Sequence, residues 1–422
     1  MRGAALTLCC VALFMPVVLH AYPIDGYVRT GIGRLEAARR IEAGEIQAAK
    51  QPAGALLPTE QVDIRLRGAG IDELPAVDAE FTGKIVALLG EYADRYSISV
   101  LDLSDRANPR YAEHHGDVLR NPGSVGKLMV ALAIFQLLAD LYPDDLDARW
   151  RVLRDTIITA DDVIITDSHA VRIWDRAGEQ LIRRPLRVGD TGSLFEYLDW
   201  MLSASSNAAA ATVMKQACLV KHFGTRYPVA DAEADQFLRQ TPKAELQKLL
   251  AEVMHTPVTR NGLDINTLRQ GSLLTAVGKQ RIPGTTSYAT THELLRYLLK
   301  MESGELVDEF SSREIKRLLY MTERRIRYAS SPALRDAAVY FKSGSLFGCQ
   351  PEEGFRCVQY QGNKENLMNS VAIVEHPAGH PDLYYLVTLT SNVLKRNSAV
   401  DHQTFATRLH ELIRSYHPAP AP

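Results

Sequence analysis

Cysteine is scarce in this chain, with five in 422 residues. No Cys or His cluster has zinc-ligand spacing, so neither a disulfide-stapled miniature fold nor a structural zinc module is expected. Charge of one sign is not in excess: 48 Lys plus Arg stand against 50 Asp plus Glu, a formal net charge of -2. That balance argues against a nucleic-acid partner and against a strongly basic membrane-binding surface; the expected partner is a small molecule or a cell-wall fragment. Internal repeats are absent, and the one low-complexity stretch is the terminal PAPAP. What is present is the composition of a soluble folded protein, 46% hydrophobic and 23% charged, long enough for one large domain or two ordinary ones.

The first residues carry Arg2, an apolar stretch from about Ala4 to Leu19, and Ala21 ahead of Tyr22-Pro23. The stretch is short for a bilayer span, which needs about 20 apolar residues, and it ends in a small residue. Residues 1–21 therefore read as a secretory signal peptide, which makes the mature chain periplasmic or secreted with no stable membrane span. A lipid anchor at Cys9 or Cys10 is the competing reading, although Leu8 stands where lipidation wants a small residue. Export leaves Cys218, Cys349 and Cys357. In an oxidising compartment the last two can close the loop CQPEEGFRC, while Cys218 reads as a buried apolar thiol. The His114-His115 doublet has no ligand partners and reads as loop surface.

Along the chain, residues 22–78 are irregular around one plausible helix, RLEAARRIEAGEIQAAK, and look like an appended segment. EFTGKIVALLGEYADRY then places Phe81, Ile85, Leu88, Leu89 and Tyr92 on one helical face, and YSISVLDLSD follows as a strand. A long helical middle is expected from about Gly123 to Met321. Three strand-like runs come next, AAVYFKSGSLF, NSVAIVEHP and DLYYLVTLTS, with a closing helix at SAVDHQTFATRLHELIRSY. Strands at both ends with helices between them predict an α+β arrangement: one sheet built from both chain ends, packed against a helical subdomain.

One stretch carries chemistry. In NPGSVGKLMVALAIF, Pro122-Gly123 break the chain and the run after Ser124 is helix-forming, which sets Ser124 at a helix start with Lys127 on the same face. A lysine in apolar surroundings has its pKa lowered by desolvation, so it can take the serine proton, and the helix start offers amides to an oxyanion. On this stretch alone, a serine N-cap with a snorkelling lysine explains the pattern equally well.

Two further stretches change that balance. LFEYLDWMLSASSNAAAATVMK is a helix, a polar break with Ser205, Ser206 and Asn207, and another helix; VYFKSGSLFG is a strand ending in Lys342-Ser343-Gly344-Ser345. With Ser124-x-x-Lys127, these motifs resemble those of the active-site serine penicillin-recognising superfamily, most closely the class A β-lactamase type, in order and setting. The resemblance covers roughly residues 80–418 and implies a β-lactamase/transpeptidase-like catalytic domain with an antiparallel sheet. It implies Ser124 as nucleophile, Lys127 as its base, Ser205 as a proton relay to the leaving nitrogen, and Asn207 as a holder of the substrate amide side chain. Lys342 and Ser343 would bind the substrate carboxylate, Gly344 would let the strand approach closely, and the amides of Ser124 and Ser345 would form the oxyanion hole. No metal or organic cofactor is implied.

The chain departs from the class A pattern between the second and third motifs. That type carries an E-x-x-L-N loop whose glutamate activates the deacylating water, whereas no Glu lies between Gly262 and Gly284 here. Asp264 is the one carboxylate in the stretch; Glu252 and Glu293, on either side, read as surface charges in helices. The inter-motif distances are also long, with extra sequence near DDVIITDSHAVRIWDRAGEQLIRRP, where Trp174 either walls the cleft or packs locally. Three functions follow. The first is a β-lactam hydrolase working through a Ser124 acyl-enzyme, which the overall resemblance favours. The second is a D-alanyl-D-alanine cell-wall peptidase that acylates and deacylates β-lactams slowly, and the third is a non-catalytic penicillin-binding scaffold.

Overall fold

Strand-forming residues lie toward both ends of the chain and meet in one sheet. The computed structural model describes residues 25–320 and 325–418, so the signal-peptide and lipidation readings fall outside it. Strands β1 (Tyr96–Asp102) and β2 (Arg110–His114) come from the N-terminal side; β3 (Ala338–Gly348), β4 (Glu365–His376) and β5 (Leu383–Asn392) come from the C-terminal side. Their order is β2-β1-β5-β4-β3, and all pairings are antiparallel. All seven residues of β1 are buried, as a strand covered on both faces requires.

Helices supply both covers. On one face, α1 (Ala79–Leu89) starts where the Asp78 carboxylate accepts the Phe81 amide and inserts Phe81, Ile85 and Leu89; the C-terminal helix Ser398–Tyr416 adds Phe405, Leu409 and Ile413. The other face carries the larger core, centred on α2 (Lys127–Leu141), which is buried from Lys127 to Leu138. Such an all-round apolar helix belongs at the centre of a helical layer. With the preceding turn it is the one segment among the described residues long and apolar enough to cross a membrane, and it is mostly enclosed by protein. Around it stand α3 (Leu194–Leu202), α4 (Asn207–Phe223), α5 (Thr291–Ser303) and α6 (Glu309–Tyr320).

The long helical middle expected from about Gly123 to Met321 is interrupted by strands. Residues 157–193 form short pairings, Ile157–Thr159 with Thr191–Ser193 and a hairpin of Ala170–Asp175 with Gln180–Pro185. The hairpin's first strand is half-buried apart from the buried Val171, and its second mixes half-buried and exposed positions, so neither keeps a helical stripe. Trp174 lies in it and packs beneath Arg40 and against Gly33, away from the cleft.

Residues 25–78 are not a loose appendage. Ile32, Leu35, Leu57, Val62 and Leu66 join the main core. Lys316, fully buried, binds Glu302, Glu375 and the Asp63 carbonyl, and Arg65 binds Glu375 from the segment's side. Arg34, on the helix Gly33–Glu42, makes two 2.6 Å hydrogen bonds to Asp199 of α3, both side chains almost fully enclosed. Breaking a buried pair from one side strands a charge and costs about 3–5 kcal/mol. Arg34→Ala should accordingly lower unfolding stability by that order in a urea titration, and a loss under about 1 kcal/mol would show that the segment docks by apolar contact alone.

Candidate active site

Pro122 and Gly123, the latter at φ +52°, turn the chain into a short 3-10 turn, Gly123–Gly126, that runs straight into α2. In a 3-10 turn, side chains three apart eclipse, so Lys127 reaches back over Ser124. Its Nζ lies 2.7 Å from Ser124 Oγ, 2.9 Å from the Ser205 carbonyl and 2.7 Å from Asn207 Oδ1. The lysine is fully buried, and burial lowers its pKa to about 7 despite the opposing pull of the Asp167 carboxylate. An amine so shifted is in part uncharged near neutrality, so the nitrogen beside Ser124 Oγ is able to accept its proton.

The break between α3 and α4 delivers the second motif. Ser206 caps α4 by accepting the Ala209 amide, which leaves Ser205 in the left-handed region at φ +63°. Few side chains adopt that backbone without being held there. The carbonyl of Ser205 faces Lys127, and its hydroxyl accepts a 2.8 Å hydrogen bond from Lys342 Nζ.

β3, at the sheet edge, supplies the third motif. A Cβ on Gly344 would lie 2.5 Å from both the Pro122 carbonyl and the Ser124 amide, so only glycine lets the strand pass this closely. An edge strand keeps outward-facing amides unpaired, and here that edge runs beside the Ser124 amide. Lys342 is almost fully buried; burial first, then the neighbouring charges of Lys127 and Arg327, push its pKa well below the usual ammonium value. Lys342, Arg327 and Arg183 thus line the cavity, with no carboxylate among its described lining residues. An arriving anion would relieve that repulsion.

Arg327 escaped the sequence reading because it lies in an irregular segment outside every motif. Its guanidinium donates to Ser343 Oγ at 2.8 Å, Ser345 Oγ at 3.1 Å and Tyr360 Oη at 3.1 Å, and it stacks 4.8 Å above the Tyr360 ring. Tyr360 arrives on the segment after the Cys349–Cys357 bridge, whose Cα atoms are 6.0 Å apart. The free Cys218 is buried.

Two cavities flank Ser124. The first, about 230 Å³, is lined by Ser205, Lys342, Ser343 and Arg327, and by His169 from the start of the inserted hairpin. The second, about 390 Å³, is lined by Asn207, Gln270 and Ser272 and holds no carboxylate among its described lining residues. Gln270 is buried, with Oε1 packed over Gly126 and Nε2 donating to the Ser272 carbonyl at 2.6 Å. A search for carboxylates alone passed over this amide. Asp264 is exposed and turns its own loop by accepting from Asn266. Glu252 pairs with Lys221 at the surface. Glu293 is not a surface charge: it is 3% exposed, accepts the Asp264 amide and pairs with Arg296, because a carboxylate in the first turn of α5 meets the loop that folds back on it.

The sequence matches the model of the β-lactamase enzyme family over residues 80–411. A β-lactamase from Sphaerobacter thermophilus is similar in structure at 14% identity and TM-score 0.52, over 82% of this chain and 100% of its own. The TLA-3 extended-spectrum β-lactamase aligns at 13% identity and TM-score 0.50, over 79% of this chain and 98% of its own. Both share the α+β architecture described above. No curated protein matches the sequence.

Proposed function

Because the chain belongs to the β-lactamase enzyme family, we propose that it is an exported serine hydrolase that opens an amide bond next to a carboxylate, through an acyl-enzyme on Ser124. One observation carries the reading: Lys127 Nζ, with its pKa lowered to about 7, stands 2.7 Å from Ser124 Oγ. Lys127 takes the Ser124 proton as Oγ attacks the carbonyl carbon, and the amides of Ser124 and Ser345 receive the oxyanion. The proton then passes through Ser205 to the leaving nitrogen as the C–N bond breaks. Lys342, Ser343 and Arg327 hold the carboxylate, a natural partner for two cations and a hydroxyl, and Asn207 holds the acyl side chain. Export is supported by the cysteine bridge, which suits an oxidising compartment.

Both β-lactams and D-alanyl-D-alanine peptides present such an amide. The amide of Gln270 where the second cavity meets Ser124 favours the peptide as natural substrate, because an amide cannot take a proton from water. A β-lactam keeps its leaving nitrogen tethered after ring opening, so that nitrogen continues to fill the cavity beside Ser205. A peptide's leaving group departs and frees it. β-Lactams should therefore label Ser124 and stay.

Intact-protein mass spectrometry of the mature chain with a penicillin and a cephalosporin, followed from seconds to hours, tests this. A persistent adduct on Ser124 is the expected result. An adduct that disappears over many turnovers would make the chain a β-lactamase, and the absence of any adduct would make it a scaffold.

A further inference from the structure

His169, which lines the first cavity, is paired with Asp167 in an arrangement that no sequence motif announced. The Asp167 side chain is 3% exposed. Its Oδ2 accepts from Ser206 Oγ and the Ala208 amide, both at 2.8 Å, which ties it to the start of α4 and to the loop that carries Ser205. Its Oδ1 contacts His169 Nδ1 at 2.6 Å. Burial alone would raise the carboxyl pKa, yet the hydrogen bonds from His169, Ala208 and Ser206 outweigh it and hold the group ionised. In the neutral ring, an ionised partner at Nδ1 favours the tautomer with the proton on Nδ1 and the lone pair on Nε2. Nε2 has no hydrogen-bond partner among the described residues, and the ring, 43% exposed, lines the cavity that also holds Ser124 and Ser205. A base oriented by a buried carboxylate beside a serine is an arrangement suited to proton transfer.

We propose that His169, oriented by Asp167, is the general base for the nucleophile that releases the Ser124 acyl group from the leaving-group side. This deepens the hydrolase reading above and rests on it. The second cavity holds no carboxylate or histidine among its described lining residues, and the one amine there, Lys279, is exposed to solvent, so the nucleophile, water or an amine, is activated where the first leaving group departed. As its oxygen or nitrogen bonds the acyl carbon, its proton passes to His169 Nε2. The bond from the acyl carbon to Ser124 Oγ then breaks, and Oγ takes a proton from the Lys127 ammonium. Lys127, left neutral when its proton goes to the first leaving group, takes that ammonium proton from solvent before the step, and the imidazolium returns one to solvent after it.

The test uses the mature chain and an N-acyl-D-alanyl thioester, whose thiolate leaves without needing a proton, so that acylation does not depend on His169. Rapid-mixing mass spectrometry follows the acyl adduct with water alone and with D-alanine as acceptor. In His169→Gln, adduct formation should stay within about threefold of wild type while adduct lifetime lengthens by about 10²-fold or more, the usual reach of a general base. Added imidazole should shorten the lifetime in His169→Ala, a rescue that a purely structural role would not give. An unchanged lifetime overturns the proposal, as does slowed acylation together with a lowered melting temperature. If penicillin labels Ser124 but His169→Gln releases the thioester acyl group normally, this inference falls and the hydrolase reading stands. If neither compound labels wild type, both fall.

Discussion

Lys127→Ala should slow acylation of Ser124 by about 10²–10⁴-fold, and Ser124→Ala should abolish it. The effect depends on which amine can be neutral beside the hydroxyl. Lys127 Nζ is 2.7 Å from Ser124 Oγ, whereas Lys342 points to Ser205. Burial lowers the Lys127 pKa to about 7 from an ordinary 10.5. Only the neutral amine accepts a proton, so the acylation rate constant should rise about tenfold per pH unit below that value and level off above it. Stopped-flow acylation by a penicillin between pH 5 and 9 measures the profile, with Lys127→Ala as the control that loses it. A flat profile, or rapid labelling of Ser124→Ala, would sink the assignment.

The three motifs were legible because each couples a residue type to a local break: Pro-Gly before Ser124, a serine cap before Asn207, a strand end after Lys342. The strands β3 to β5 and the closing helix were equally readable, since their apolar residues keep an unbroken pattern. The sequence could not show what tertiary packing decides. Arg34 and Asp199 meet across 165 positions, so nothing local marks residues 25–78 as part of the core. Arg327 acquires its place from Tyr360, brought round by the bridged loop after β3. The pairing of Asp167 with His169, two residues apart, was visible as letters, but its position beside Ser205 depends on the cap of α4.

Gln270→Glu should shorten the life of the penicillin adduct on Ser124 by about 10²-fold or more, the contribution expected of a general base newly set beside an ester. The second cavity already joins Ser124, Asn207 and Gln270, so it offers a place for water on the face that a tethered β-lactam nitrogen leaves free. In the native chain the residue there is an amide, with Nε2 fixed to the Ser272 carbonyl at 2.6 Å. A carboxylate would meet that carbonyl oxygen with a lone pair instead of a hydrogen. The clash costs about 1–3 kcal/mol of stability and favours the protonated form, which raises the new acid's pKa toward neutrality, where a base works best. Acylation should change little, because Lys127 keeps its contacts. A variant that melts near the wild-type temperature and holds its adduct as long would show that water does not reach the acyl carbon from this side. Release would then be confined to the face that His169 lines, and the persistence of β-lactam adducts would follow from the tethered nitrogen alone.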